Sequence, residues 1–95
     1  MKYLEEDPAD DFSEYALALE LKKEGNAEKA IHHLVQVLGR NPGYLAAYYQ
    51  CGKLYESMRN HEQAAYYYER GMGVAERQGD ARTLNELRSA LELMD

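Results

Sequence analysis

The chain repeats itself at a fixed spacing, and this repeat limits its possible folds more than any other feature. Identical residues recur 34 positions apart: Tyr15 and Tyr49, Asn26 and Asn60, Glu28 and Glu62, Ala30 and Ala64, Gly39 and Gly73. Offsets that agree over so many positions are hard to obtain by chance. The chain is therefore predicted to contain two copies of one structural unit.

Each copy is predicted to be a pair of α-helices, because apolar residues recur at helical rather than alternating spacing. The first helix is predicted to start with Asp7 as its cap and Pro8 in its first turn, and to end near Glu24. Asn60 and Gln63 form a capping-box pattern at a later helix start. The other predicted helices cover about residues 27–39, 44–58, 61–79 and 81–94, with Asn26, Asn60 and Asp80 as caps.

The side chains of these units resemble the tetratricopeptide repeat family. The second copy carries the family's large and small positions as Tyr48, Gly52, Tyr55, Ala64, Tyr68 and Gly71. The first copy is similar in size and polarity at Leu17, Ala18, Leu21, Ala30, Leu34, Val37 and Pro42, whereas Glu14 replaces the first aromatic residue. The resemblance implies an all-α fold, a right-handed stack of five antiparallel helices.

The resemblance also divides the chain, which is expected to be a small stand-alone protein of one domain, residues 1–95. Residues 1–10 lead into two helix-turn-helix repeats, 11–43 and 44–79, and residues 80–95 form a capping helix. Arg88 stands where a first helix would carry a small residue, and no helix follows that would require one. Close helix pairing inside the repeats is predicted where Gly52 faces Ala64 and where Ala18 faces Ala30.

Composition points to a protein of the cell interior that does not bind nucleic acid. The net charge of −6 opposes binding to a nucleic-acid backbone. The single cysteine, Cys51, fits a reducing, cytoplasmic compartment. The start of the chain is acidic where a signal peptide would be apolar, and no apolar run is long enough to cross a bilayer, so membrane insertion is not expected.

No arrangement of residues predicts catalysis, a cofactor or a metal. The serines and the threonine lack a histidine and an acid at convincing spacing. His32 and His33 are neighbours, whereas chelation from one helix requires a spacing of four. Cys51 is interpreted as a small core residue. The chain is therefore predicted not to be an enzyme.

The family resemblance implies that first helices line a concave, aromatic groove that binds a peptide or a partner helix. The corresponding residues here are Phe12, Tyr15, Leu19, Lys22, Lys23, Ala46, Tyr49, Gln50, Lys53 and Glu56, with Arg82 and Glu86 added from the capping helix. The alternative is self-association through the same apolar surface, as in a homodimer. Of the positions with which relatives grip chaperone carboxylate tails, only Arg82 has a matching residue, so this use is not predicted.

The repeat register predicts a different environment for each of three adjacent tyrosines. Tyr68 is predicted to be a core ring, and Tyr67 is predicted to be partly buried. Tyr66 takes a position that is usually polar in the family and is His32 in the first copy. It is predicted to be exposed, either without a role or as part of a second, convex contact surface.

Overall fold

The computed structural model describes residues 10–94, which form five α-helices. In chain order these are α1 (Asp11–Lys23), α2 (Ala27–Arg40), α3 (Leu45–Ser57), α4 (His61–Gln78) and α5 (Ala81–Leu93). For each of α2, α3, α4 and α5, the predicted start and the predicted end agree with the structure to within about two residues. The all-α fold is confirmed.

Four helix starts are fixed by side chains that accept hydrogen bonds from free backbone N–H groups. Asn26 accepts from Lys29 N–H at the start of α2, and Asn60 accepts from Gln63 N–H at the start of α4. Asp80 accepts from both the N–H and the hydroxyl of Thr83. These three predicted caps are confirmed.

The predicted start of α1 is wrong. The helix begins at Asp11 and its cap is Asp10, whose carboxylate accepts from the N–H groups of Phe12 and Ser13 and from the Ser13 hydroxyl at 2.6 Å. The sequence interpretation placed this cap three residues earlier, at Asp7. The positions Asp7 and Pro8, on which that interpretation depended, lie outside the described residues.

Three helix ends turn through one residue in the left-handed conformation. These residues are Gly25 (φ +82°), Arg59 (φ +61°) and Gly79 (φ +73°). In each case the N–H of the next residue donates to a carbonyl five positions earlier, for example Asn60 N–H to Tyr55 C=O at 2.9 Å. Arg59 lies 34 positions after Gly25 and therefore makes the same turn without the freedom of glycine.

Each helix packs mainly against its neighbours in the chain: α1 on α2, α2 on α3, α3 on α4 and α4 on α5. One buried cluster joins the first three helices through Ala18, Ala30, Ile31, Leu34, Ala47, Cys51 and Leu54. A second joins α4 to α5 through Ala64, Tyr68, Leu87 and Ala90. Leu87 thereby anchors α5 against the end of the stack.

Close approach between α3 and α4 occurs at glycines. A Cβ added to Gly52 would overlap the ring of Tyr68, which is the side chain nearest to it. The predicted partner of Gly52 was Ala64, and the side chain that fills the space at this glycine is the ring of Tyr68. A Cβ added to Gly71 would lie 2.7 Å from Tyr48 Cβ and 2.9 Å from Leu87 Cδ1, so this glycine is required where three helices meet.

A buried ion-pair network joins α1 to α2. The side chain of Glu14 is only 5% exposed and accepts from Arg40 Nη2 while lying 2.8 Å from His33 Nδ1. Arg40 also pairs with Asp11 at 3.0 Å. Glu14 occupies the position that Tyr48 takes in the second repeat, so charges replace a ring at this point of the first repeat.

The three adjacent tyrosines differ as predicted. Tyr68 is fully buried, and its hydroxyl donates to Glu56 Oε1 at 2.7 Å. Tyr67 is half-buried and stacked on Tyr55 with ring centroids 5.7 Å apart, and burial raises its pKa to about 12. Tyr66 is exposed over 46% of its surface.

Candidate functional site

Helices α3 and α5 line an open depression of about 680 Å³ on one side of the stack. Its lining combines one aromatic ring, apolar side chains at one end and several polar groups: Tyr49, Lys53, Arg82, Asn85, Glu86, Ser89, Ala90 and Leu93. Leu93 is 83% exposed, which is unusual for a leucine on a helix that is otherwise packed through Leu87 and Ala90. The depression therefore offers uncovered apolar surface.

A second depression of about 170 Å³ continues from the first towards α1. It is lined by Tyr15, Leu45, Ala46, Tyr49, Gln50, Thr83, Glu86 and Leu87. Tyr49 and Glu86 line both depressions, so the two form one surface, which we call the concave groove. It runs across the faces of α1, α3 and α5.

The aromatic floor of the concave groove is held by neighbouring rings. The centroid of the Tyr49 ring lies 6.3 Å from that of the buried Tyr68, and the Tyr15 ring lies 5.3 Å from Tyr44. Burial raises the pKa of Tyr15, against a smaller opposing effect of its hydrogen bond with Gln50. The Tyr15 hydroxyl is therefore neutral at physiological pH and can donate a hydrogen bond.

Cations lie along the rim of the groove, each close to a group of the protein itself. Lys53 Nζ lies 5.8 Å from the centroid of the Tyr49 ring and 3.9 Å from Glu56 Oε1. Lys22 Nζ donates to Gln50 Oε1 at 2.8 Å, which links α1 to α3. Arg82 Nε lies 3.6 Å from Glu86 Oε2 on the exposed side of α5. Exposed contacts of this kind are weak, so these cations can exchange partners.

The structure brings together most of the residues that the sequence assigned to the groove. Its lining contains Tyr15, Ala46, Tyr49, Gln50, Lys53, Arg82 and Glu86. Lys22 and Glu56 lie beside it through their contacts with Gln50 and Lys53.

Four predicted residues of α1 line neither depression: Phe12, Leu19, Lys22 and Lys23. Lys22 contacts the groove only through its bond to Gln50. The groove follows the facing surfaces of α3 and α5, and α1 reaches it only at Tyr15. Phe12 and Leu19 lie about one turn on either side of Tyr15. Lys23 Nζ instead lies 3.7 Å from Glu20 Oε2 on its own helix.

Sequence reasoning missed much of the wall that α5 contributes. The residues not foreseen are Leu45, Thr83, Asn85, Leu87, Ser89, Ala90 and Leu93. A signal was present, because Arg82, Glu86, Ser89 and Leu93 follow one another at spacings of three and four, which places them on one helical face. Treating α5 as a cap hid its role as a groove wall.

Comparison with known proteins agrees with this architecture. The sequence profile of the tetratricopeptide repeat family matches residues 21–91. The chain belongs to the tetratricopeptide repeat family.

Solved structures of the same family are similar over nearly the whole chain. A solution NMR structure of a tetratricopeptide repeat domain protein from Salinibacter ruber has 36% sequence identity and a TM-score of 0.88, covering 94% of this chain and 90% of that one. A crystal structure of a tetratricopeptide repeat domain protein from the same organism has 36% identity and a TM-score of 0.80, covering 86% and 91%. A comparison with curated proteins gave no match.

Membership in the family carries general implications for this tetratricopeptide repeat protein. The fold generally mediates protein–protein interaction, and the family is generally non-catalytic. A protein partner is therefore the expected kind of ligand.

Three side chains of this tetratricopeptide repeat protein that the sequence analysis considered for chemistry, His32, His33 and Cys51, are each engaged or buried. Residues 10–94 contain no group of three histidine, cysteine or acidic residues arranged to hold a metal. His33 contacts Glu14, and His32 contacts Gln36 at 3.2 Å. Cys51 is buried, and burial raises the pKa of its thiol to about 12. Within the same residues, no helix combines the length and the apolar character needed to span a membrane.

Proposed function

We propose that this protein is a non-catalytic interaction module that binds an extended peptide or a partner helix in the concave groove. The observation that carries the proposal is the continuous groove across α1, α3 and α5, with an aromatic and apolar floor. Partner side chains would be buried against Tyr15, Tyr49 and Leu93. Lys22, Lys53 and Arg82 would pair with acidic groups of the partner at the rim of the groove. These pairs would fix the orientation of the partner more than they would raise its affinity.

The proposal treats residues 1–95 as one unit in the cytoplasm, with repeats at 11–43 and 44–79 and a capping helix at 80–95. The buried, unpaired thiol of Cys51 is consistent with a reducing compartment. The net charge of −6 argues for a protein partner and against a nucleic acid.

Affinity capture with matched variants tests the proposal. The protein is used as bait in an extract of the cells that express it, and captured proteins are quantified by mass spectrometry. Leu93→Ser removes an exposed apolar side chain inside the groove, whereas Phe12→Ser removes one that is 69% exposed outside it. We expect partners that Phe12→Ser retains and that both Leu93→Ser and Tyr49→Ala lose. Equal loss with Leu93→Ser and Phe12→Ser, or no loss with either groove variant, would contradict groove binding.

Self-association is a second candidate, favoured by the exposure of Leu93 at the groove wall. Two repeats are fewer than the three that usually stabilise such arrays, so covering this apolar surface with a second copy would add stability. Light scattering at micromolar concentration should then give the mass of a dimer, and Leu93→Ser should return it to the monomer. A monomer at every concentration would exclude this candidate.

A further inference from the structure

A second groove is lined mainly by residues of α2 and α4, and it shares no lining residue with the concave groove. It consists of two depressions of about 240 and 250 Å³ that share Pro42. The first is lined by Val35, Leu38, Gly39, Pro42, Tyr48, Tyr66, Tyr67 and Arg70, and the second by Pro42, Gly43, Val74, Arg77 and Gln78. We call this surface the α2–α4 groove.

The charge of the α2–α4 groove is opposite to that of the protein. Of the residues that the structure describes, Arg70 and Arg77 are the only charged ones in its lining, and none of the acidic ones lines either depression. Among residues 10–94, neither arginine takes part in an ion pair. In a chain with a net charge of −6, two arginines without an ion-pair partner in the described residues form a local positive site.

Tyr66 and Arg70 hold each other in place at one end of this groove. The guanidinium carbon of Arg70 lies 5.6 Å from the centroid of the Tyr66 ring, and Arg70 Nη1 lies 3.4 Å from its hydroxyl. The Tyr67 ring meets Tyr66 edge-on at 5.1 Å. An exposed ring fixed by two neighbours loses little freedom on binding, and tyrosine and arginine are frequent among the residues that dominate binding energies.

The floor of the α2–α4 groove is apolar and rigid. Val35 and Leu38 contribute aliphatic surface from α2, and Tyr48 lies beneath them. The Tyr48 hydroxyl donates to Pro42 C=O at 2.6 Å, and Gln78 Nε2 donates to Gly43 C=O at 2.9 Å. These two bonds attach the connection between α2 and α3 to α3 and to α4. The groove is therefore formed before any ligand arrives.

We propose that the α2–α4 groove binds an extended acidic peptide segment that carries an apolar ring. Arg70 and Arg77 are seven residues apart on α4, a rise of about 10 Å, and three residues of extended chain span about the same distance. Tyr66 precedes Arg70 by about 6 Å, which corresponds to about two extended residues. The matching segment has two acidic residues three positions apart and an aromatic residue two positions before the first.

This binding site is separate from the concave groove, because none of the residues that line one groove lines the other. Partner binding in the concave groove and peptide binding here can therefore succeed or fail independently. The bound segment would leave the concave groove open.

An NMR titration of the ¹⁵N-labelled chain tests the proposal with a synthetic probe. The probe is a blocked eight-residue serine peptide with phenylalanine at its second position and glutamate at its fourth and seventh, titrated to about 1 mM. We expect amide shifts centred on residues 66–78 of α4 and on residues 35–43, which cover the end of α2 and the connection after it. The same peptide with glutamine in place of glutamate should bind at least about fivefold more weakly, and added salt should weaken the acidic peptide.

Exposed substitutions locate the site. Arg70→Gln and Arg77→Gln should each weaken the acidic peptide about fivefold or more, while Arg88→Gln, an equal loss of charge on α5, should change its affinity less than about twofold. Tyr66→Ser should weaken both peptides. The spectrum of each free variant reports whether its fold is retained.

Several outcomes would overturn the proposal. These are shifts confined to the concave groove, no shift at about 1 mM, equal affinity for the glutamate and glutamine peptides, and equal effects of Arg88→Gln and Arg70→Gln. A single-stranded oligodeoxythymidine that shifts the same amides at lower concentration than the peptide would also overturn it, because the site would then be selective for phosphate.

Discussion

The ring of Tyr68 lies directly against the backbone of Gly52, where a Cβ would overlap its carbons. The equivalent pair in the first repeat, 34 positions earlier, is Ala18 with Leu34. Both residues of the pair differ between the two repeats. In the second repeat the smaller Gly52 accompanies the larger ring of Tyr68, and in the first repeat the larger Ala18 accompanies the smaller Leu34. The two repeats thus achieve the same close helix pairing with complementary sizes.

Gly52→Ala should destabilise the protein by about 1–3 kcal/mol, because the added methyl overpacks the contact with Tyr68. In a Tyr68→Leu background, Gly52→Ala should lower the free energy of unfolding much less. Positions 52 and 68 then carry alanine and leucine, the same residues as Ala18 and Leu34 in the first repeat. Urea unfolding of the four proteins of this cycle measures the coupling. Gly73→Ala is the control: an added Cβ there meets only Arg77 at 3.6 Å, so a change between neutral and about 1 kcal/mol more stable is expected. Equal effects of Gly52→Ala in both backgrounds would contradict the pairing.

Arg59→Gly should stabilise the protein by about 0.5–1 kcal/mol, because glycine adopts the left-handed conformation of this turn without steric cost. Part of the gain is offset by the greater freedom of glycine in the unfolded chain. Arg88→Gly, the same replacement inside α5, should instead cost about 1 kcal/mol. The two variants should therefore shift the thermal midpoint in opposite directions, and a shift in the same direction would argue against strain at Arg59.

Glu14→Ala should destabilise the protein by about 2–3 kcal/mol, because it leaves His33 and Arg40 without their shared carboxylate. The loss is at the lower end for a buried ion pair, since Arg40 retains Asp11 and reaches solvent. Glu20→Ala on the same helix removes an exposed partner of Lys23 and should change the free energy of unfolding by less than about 0.5 kcal/mol. Similar values for the two variants would show that the network adds nothing.

Acid should weaken the cap of α5. The hydrogen bond from Thr83 N–H, followed by that from its hydroxyl, lowers the pKa of Asp80. As pH falls below the ordinary aspartate value of about 3.9, the unfolded chain takes up this proton first, so stability is lost. Asp80→Asn keeps the acceptor but does not titrate. Its thermal midpoint should therefore fall less steeply than that of the wild type between about pH 5 and pH 2. Parallel curves would exclude a contribution from this cap.

The thiol of Cys51 should be unreactive in the folded protein. It is fully covered, and burial raises its pKa to about 12, so at about pH 8 the thiolate fraction is on the order of one in ten thousand. A thiol-specific chromogenic reagent should react slowly with the native chain and stoichiometrically once guanidinium unfolds it. Native reaction at the rate of free cysteine would place the thiol at the surface.

The sequence predicted the repeat and most helix ends because these depend on local signals. Asn26, Asn60 and Asp80 each cap a helix through bonds to residues three positions later. The start of α1 was misplaced because Asp7 and Asp10 both carry the capping signal. At Asp10, bonds from both the N–H and the hydroxyl of Ser13 fix the choice.

The candidate groove was predicted in part, because the repeat register carries information only about α1 to α4. Tyr15 and Tyr49 follow from that register, and both line the groove. The position of α5 depends on α4, which is longer than α2, and on the short connection at Gly79 and Asp80. The repeat register does not extend to these features. Phe12 was therefore included and Leu93 left out, although both are exposed apolar residues.

The order of helix contacts has a consequence for dynamics. Helices α3 and α4 each pack between two neighbours, whereas α5 packs mainly on α4. Amide exchange is therefore expected to be slowest in the middle of the chain and faster in α5, which has its main packing partner on one side only. Since α5 is also one wall of the concave groove, a ligand held there would slow exchange in α5 in proportion to its affinity. A ligand bound in the concave groove would thus hold the terminal helix α5 more firmly against the rest of the stack.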